Sequence, residues 1–193
     1  QYALKNDIPY LGLCLGMQVA AIAAMRNLGV KQANSTEFDA KTTDPVIHTM
    51  QDQVGKEGTG GTMRLGAYEA YIGKDTIARE AYGADRVLER HRHRYEVNPQ
   101  FIASIEAKGL VFSGKSPDST LMEIAELPRS VHPFFVGTQF HPEFKSTPRN
   151  PHPLFKSFIG AALVQRNLHR GDLRTRDAKE GAKEVQKKDL VII

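Results

Sequence analysis

Gly12-Leu13-Cys14-Leu15-Gly16 sets the only cysteine of the chain between two glycines, where the apolar run 8–13 gives way to the helix formers of 17–25. A strand that turns abruptly into a helix through such a sequence is a nucleophile elbow. The glycines let strand and helix approach without a clashing Cβ, and the thiol stands proud of the turn. The positive end of the helix favours a thiolate, and the backbone N–H of Leu15 is placed to meet a developing oxyanion. Far downstream, Gln139-Phe140-His141-Pro142-Glu143 follows the apolar run 134–138. His141 thus falls just past a strand end, where α/β folds gather their ligand-binding residues. Glu143 is spaced to fix the imidazole's tautomer and stabilise the imidazolium, with Pro142 stiffening the turn between them. A cysteine nucleophile, a histidine base and an orienting carboxylate are the parts of acyl transfer through a thioester. Each fragment alone has a blander reading, as a buried core cysteine or a surface His-Pro turn; together they favour chemistry.

The elements that must position these groups follow from periodicity. Runs at 64–72, 90–97, 110–113, 121–125 and 134–140 predict strands, each bounded by Gly, Pro or Asp. Residues 99–107 and 153–165 carry helical spacing, the second behind a proline-rich loop that suits a helix start. Helices and strands alternate only in part. This predicts an α/β domain with a largely parallel central sheet, some antiparallel strands, and helices on both faces. The polar, glycine-rich stretch 42–61 reads as a long loop. After Leu168 the composition turns almost wholly charged, so we expect a domain over 1–168 and a frayed charged tail over 169–193. Gln1-Tyr2-Ala3-Leu4-Lys5 reads as the end of a helix already under way, which places the first βα units upstream of it.

With 193 residues, 40% hydrophobic and 25% charged, the chain has the profile of one globular domain. It has no apolar run of bilayer length and no signal-peptide pattern, so the expected location is the cytoplasm, with no membrane partner. A single cysteine forms neither an internal disulfide nor a thiolate metal cage. The net charge of +4 comes largely from the arginine-rich strand near Arg90 and from the tail, without interleaved aromatics, and nucleic-acid binding is not expected. In 90–94, strand alternation puts His91 and His93 on one face and the arginines on the other. With no further ligands in view, the pair suits a structural or interface role better than a zinc site, and no metal is expected.

GLCLGMQ followed far downstream by GTQFHPEF resembles the class I glutamine amidotransferases, whose Cys-His-Glu triad hydrolyses glutamine through a thioester and passes ammonia to a synthase. Ala33-Asn34-Ser35-Thr36-Glu37-Phe38, Gly60-Gly61-Thr62-Met63-Arg64-Leu65-Gly66 and Glu89-Arg90-His91-Arg92-His93-Arg94-Tyr95-Glu96-Val97-Asn98 narrow the resemblance to the glutaminase domain of the CTP synthases. The run into Phe144-Lys145-Ser146 agrees, and the likeness spans residues 8–163. The resemblance implies a three-layer class I amidotransferase fold with Cys14, His141 and Glu143 as triad. It implies an L-glutamine site built from Leu15, Gln18, Glu37, Arg94 and Tyr95, in which a carboxylate meets the substrate's ammonium and a guanidinium its carboxylate. Arg64 would take part in activation by GTP. No cofactor is implied for this domain.

In the family, ATP and magnesium belong to a synthase domain that aminates UTP to CTP in pyrimidine nucleotide biosynthesis, and the full-length protein is a homotetramer. That synthase domain is not within these residues. Neither is the glycine-rich loop that supplies the second oxyanion donor. Two other readings stay open: a truncated, non-catalytic interaction or regulatory remnant of the same domain, and a stand-alone Cys-His hydrolase of another γ-glutamyl compound. The segments 33–38, 63–66 and 90–96 argue against the latter.

Overall fold

The computed structural model describes residues 1–49 and 63–179. A helical turn α1 (Tyr2–Lys5) leads into β1 (Tyr10–Leu13), α2 (Leu15–Asn27), β2 (Ala33–Ser35), β3 (Asp44–Thr49) and β4 (Arg64–Ile72). There follow α3 (Ile77–Tyr82), β5 (Arg86–His93), β6 (Tyr95–Val97), α4 (Pro99–Glu106), β7 (Val111–Lys115), β8 (Met122–Leu127) and β9 (Phe135–Thr138). A 3-10 turn, Pro142–Lys145, precedes the long α5 (Pro153–Lys179). Strands β1-β9-β8-β7-β4-β5 form one sheet in that order and β2-β3-β6 a second.

The class is the α/β one that the pattern predicts. The sheets are mixed: β1–β9 and β2–β3 run parallel, and the other pairs among the described residues run antiparallel. Neighbouring residues of β9 serve opposite faces, as strand geometry requires. Phe135 packs with Met17, Ile22 and Ile105, on the side of α2 and α4, while Val136 packs with Ile77, Ile124 and Leu154, on the side of α3 and α5. The result is three layers with the sheet in the middle.

Two glycines bring α2 onto the sheet beneath the elbow. A Cβ on Gly12 would lie 2.6 Å from the Tyr10 hydroxyl oxygen, and one on Gly137 would lie 2.9 Å from Met17 Cα. Any side chain at either position would push the nucleophile's helix off its strands.

Three expectations need correction. Residues 42–61 are not all loop, because Asp44–Thr49 forms β3, whose Val46 and Ile47 are wholly buried; residues 50–61 of that stretch lie outside the described residues. The strand expected over 90–97 is two strands that change sheet at Arg94: β5 pairs with β4, and β6 pairs with β3. The expected frayed tail is helical in its first part. Helix α5 runs on to Lys179, since a helix already nucleated by packing extends readily through Arg, Lys and Leu. Residues 180–193 lie outside the described residues. Sequence periodicity also passed over α3, whose first turn is capped by the Thr76 side chain and by Glu126, the latter accepting from the N–H groups of Ile77 and Ala78. Among the described residues no helix is long and apolar enough to cross a membrane.

Candidate active site

Cys14 is the residue between β1 and α2, and its backbone is strained, with φ 50° and ψ −100°. A non-glycine residue at positive φ persists only where its surroundings over-determine it. Here the Cys14 N–H donates to the Thr138 carbonyl at 2.6 Å, continuing the parallel register that pairs Leu13 with Thr138. The nucleophile and the residues after β9 therefore leave the same end of the sheet, the carboxyl end where α/β sites form.

His141 is anchored there by its N–H, which donates to the Arg90 carbonyl of β5 at 2.8 Å. Its ring stacks on Phe144, with centroids 5.0 Å apart. The Nδ1 nitrogen lies 2.6 Å from Glu143 Oε1. A carboxylate only accepts, so Nδ1 carries the proton and Nε2 is the basic nitrogen. Nε2 is buried and has no hydrogen-bond partner among the described residues. It and the Cys14 sulfur are thus not yet hydrogen-bonded to each other, as is common before substrate binds.

Burial pushes the Cys14 thiol up to about 11; the Leu15 N–H works against the rise, while the carboxylates of Glu96, Glu143 and Glu37 add to it. At neutral pH the sulfur is a thiol and needs a base to become a nucleophile. Nε2 of His141 is a vacant basic nitrogen at the same end of the sheet.

A cavity of about 330 Å³ opens beside the sulfur, lined by Cys14, Leu15, Gln18, Glu37, Arg94 and Tyr95. Every residue expected to hold glutamine is in its wall. Met63, Arg92 and His93 join them, and sequence reasoning did not assign these three to the pocket. The alternation of 90–94 was a partial signal, but the change of sheet at Arg94, which turns this segment into a pocket wall, was not visible. Arg94 Nε is buried without a hydrogen-bond partner among the described residues. Gln18 is not wholly free for substrate, since its Nε2 donates to the Tyr95 carbonyl and to Gln139 Oε1.

Arg64 is not part of this wall. It is buried, with Nη1 2.8 Å from Glu123 Oε1 and 3.6 Å from Glu96 Oε1, and its guanidinium sits over the Tyr68 ring. His91 and His93 complete the cluster, with Nδ1 of the first 2.9 Å from Nε2 of the second. Burial, reinforced by the Arg64 charge, holds His91 down to about 2 and His93 to about 3, so both are neutral. The two rings share the inner face of β5, and His93 also borders the cavity.

A strained cysteine at a strand–helix elbow, a His-Glu pair at the end of the neighbouring parallel strand and a charged pocket beside the sulfur are the parts that cysteine-dependent acyl transfer requires. The chain belongs to the class-I glutamine amidotransferase family, whose model matches residues 1–161. Within that family it is similar to CTP synthases: 58% identical over 164 residues to that of Rubrobacter xylanophilus (84% of this chain, 29% of the relative) and 53% over 174 residues to that of Mycolicibacterium gilvum (88% and 30%). It spans under a third of the length of these relatives. Among solved structures it resembles the glutaminase domain of Trypanosoma brucei CTPS with bound acivicin, at 40% identity and TM-score 0.77, covering 84% of this chain and 62% of that one. A Thermoplasma acidophilum protein assigned to GMP synthase shares the fold, at 16% identity and TM-score 0.54, covering 88% and 64%.

Proposed function

We propose that this chain hydrolyses L-glutamine to glutamate and ammonia through a cysteinyl thioester, and that a synthase part uses the ammonia to aminate UTP to CTP. His141 Nε2 takes the thiol proton as Cys14 Sγ attacks the side-chain amide carbon, and the Leu15 N–H faces the oxyanion. The imidazolium returns its proton to the leaving ammonia. His141 then draws a proton from water, whose oxygen attacks the thioester; glutamate departs and the thiol is restored. Glu143 holds the Nδ1 proton throughout.

The observation that carries the reading is the composition of the cavity. One wall holds the thiol, and the others hold a carboxylate at Glu37 and guanidiniums at Arg92 and Arg94, the charges that an amino acid's ammonium and carboxylate require. The likeness to CTP synthases supports UTP as the final acceptor, with ATP and magnesium bound by the synthase part. Activation by GTP, if it works through Arg64, has to act on the Arg64–Glu123 ion pair.

The test is release of glutamate from glutamine by the protein. Cys14→Ser should lower the rate by at least about 10³-fold, and acivicin should protect Cys14 from alkylation. A Cys14→Ser protein that hydrolyses glutamine at the normal rate would overturn the reading. So would a folded wild-type protein that releases none, which would favour the non-catalytic remnant.

A further inference from the structure

We infer that the Gln139 side-chain amide is a hydrogen-bond donor to the Cys14 sulfur, held in that role by Gln18, and that it sets the reactivity of the nucleophile. Three contacts fix the direction of every bond in the chain of amides. The Tyr95 carbonyl can only accept, so the atom of Gln18 that lies 3.0 Å from it must be Nε2. That same Nε2 lies 3.2 Å from the Gln139 amide, which must present Oε1 to it. Gln139 Nε2 is thereby left facing Cys14 Sγ at 3.6 Å. With Gln18 in place a flip would set two NH2 groups against each other, and Gln139 is fully buried, so no water can take up the difference. The orientation is therefore dictated by the network and not by a choice between indistinguishable amide atoms.

A thiol sulfur is a weak acceptor and a thiolate a strong one, so an N–H aimed at Sγ gains most when the proton leaves. The surroundings otherwise oppose that step. Burial disfavours the anion, and the carboxylates of Glu37, Glu96 and Glu143 repel it. The cations on the cavity wall are Arg92 and Arg94; the imidazoles nearby are His93, held neutral, and His141, the base. Among the described residues the other donor to the sulfur is the Leu15 N–H, and that group is needed by the oxyanion once attack begins. Gln139 can stay with the sulfur from thiol to thioester and back. The contact stands on geometry; its bearing on turnover rests on the glutaminase reading.

The rate of Cys14 alkylation by iodoacetamide, measured against pH, tests the inference without requiring any glutaminase activity. Gln139→Leu should move the midpoint of the profile upward and slow alkylation at pH 8 by about tenfold, the equivalent of one pKa unit. Gln139→Glu should slow it further, and Gln18→Met, which does not touch the sulfur but frees Gln139 to turn, should slow it less. Should the leucine variant fail to fold, the near-isosteric glutamate variant and Gln18→Met still decide. Profiles of the Gln139 variants that superimpose on the wild type would overturn the inference. A shifted profile in a protein that releases no glutamate would keep the Gln139 contact and remove the glutaminase reading. Normal turnover with an unshifted profile would do the reverse.

Discussion

Three His-Pro dipeptides occur in the chain, at His132, His141 and His152, and two of them fold alike. At His132 and His152 the ring Nδ1 accepts the backbone N–H of the residue two positions on, Phe134 at 3.2 Å and Leu154 at 3.3 Å. The proton is therefore on Nε2, which donates to the Ala3 carbonyl in one case and to buried Glu89 in the other. At His141 the residue two positions on offers a carboxylate instead. Nδ1 donates to Glu143, so the proton sits on Nδ1 where the other two rings carry it on Nε2, and Nε2 has no partner among the described residues. One dipeptide thus closes the chain in one tautomer and exposes a base in the other. The side chain at the second position after the histidine decides which.

The largest effects should separate these two uses. His141→Asn should cut glutamate release by about 10³-fold, within the range that a positioned acid-base group supplies, with little change in unfolding midpoint. His152→Asn should leave kcat/KM of the folded protein nearly unchanged. It should cost about 2 kcal/mol of stability, because buried Glu89 loses the imidazole N–H while keeping Tyr82 and Lys145. Denaturant unfolding beside a glutamate assay resolves both. An inactive but fully stable His152→Asn protein would break the contrast.

The carboxylates should part in the same way, by smaller amounts. Glu143→Gln puts an amide where an acceptor fixed the tautomer, and should lower kcat by about 10²-fold while leaving KM alone. Glu89 accepts from Tyr82 and His152 within the body of the domain. Glu89→Gln keeps its shape and loses only charge assistance, an expected loss of about 1–2 kcal/mol in stability with unchanged turnover. A drop in kcat for Glu89→Gln would show that the two histidine sites are coupled.

How much of this was legible in the sequence depends on the distance between partners. His141 and Glu143 are two residues apart, and Cys14 carries its own glycines, so the three candidate residues show in local spacing. The pocket does not. Gln18, Glu37, Arg94 and Tyr95 come from separate elements, and only the family resemblance groups them. β3 hides because it is short and begins with Asp44 and Pro45, residues that usually punctuate loops; burial between β2 and β6 overrides that preference. Gln139 lies inside a motif that was read, yet its contact with Cys14 spans 125 residues and has no local signature. Arg64 is tied to activation by GTP through the family resemblance alone, and nothing near it in the chain reveals that Glu123 waits on β8.

The smallest expected effect concerns His91 and His93, which share the inner face of β5 and are held down to about 2 and about 3. In the unfolded chain a histidine titrates near 6.5. Between that pH and the folded value the unfolded state binds a proton that the native state refuses. Stability therefore rises with pH across this window and falls as pH drops below about 6.5, by at most about 1.4 kcal/mol per pH unit for each histidine. His93→Gln removes one such group, so the variant should be less stable than the wild type at pH 7.5 yet lose less between pH 7 and pH 5. Denaturant titrations at both values measure the difference of differences, which is insensitive to the packing cost of the substitution itself. Equal losses in variant and wild type would mean that His93 takes up a proton in the native state. It would then be a titrating group on the pocket wall and not a closed member of the buried Arg64 cluster.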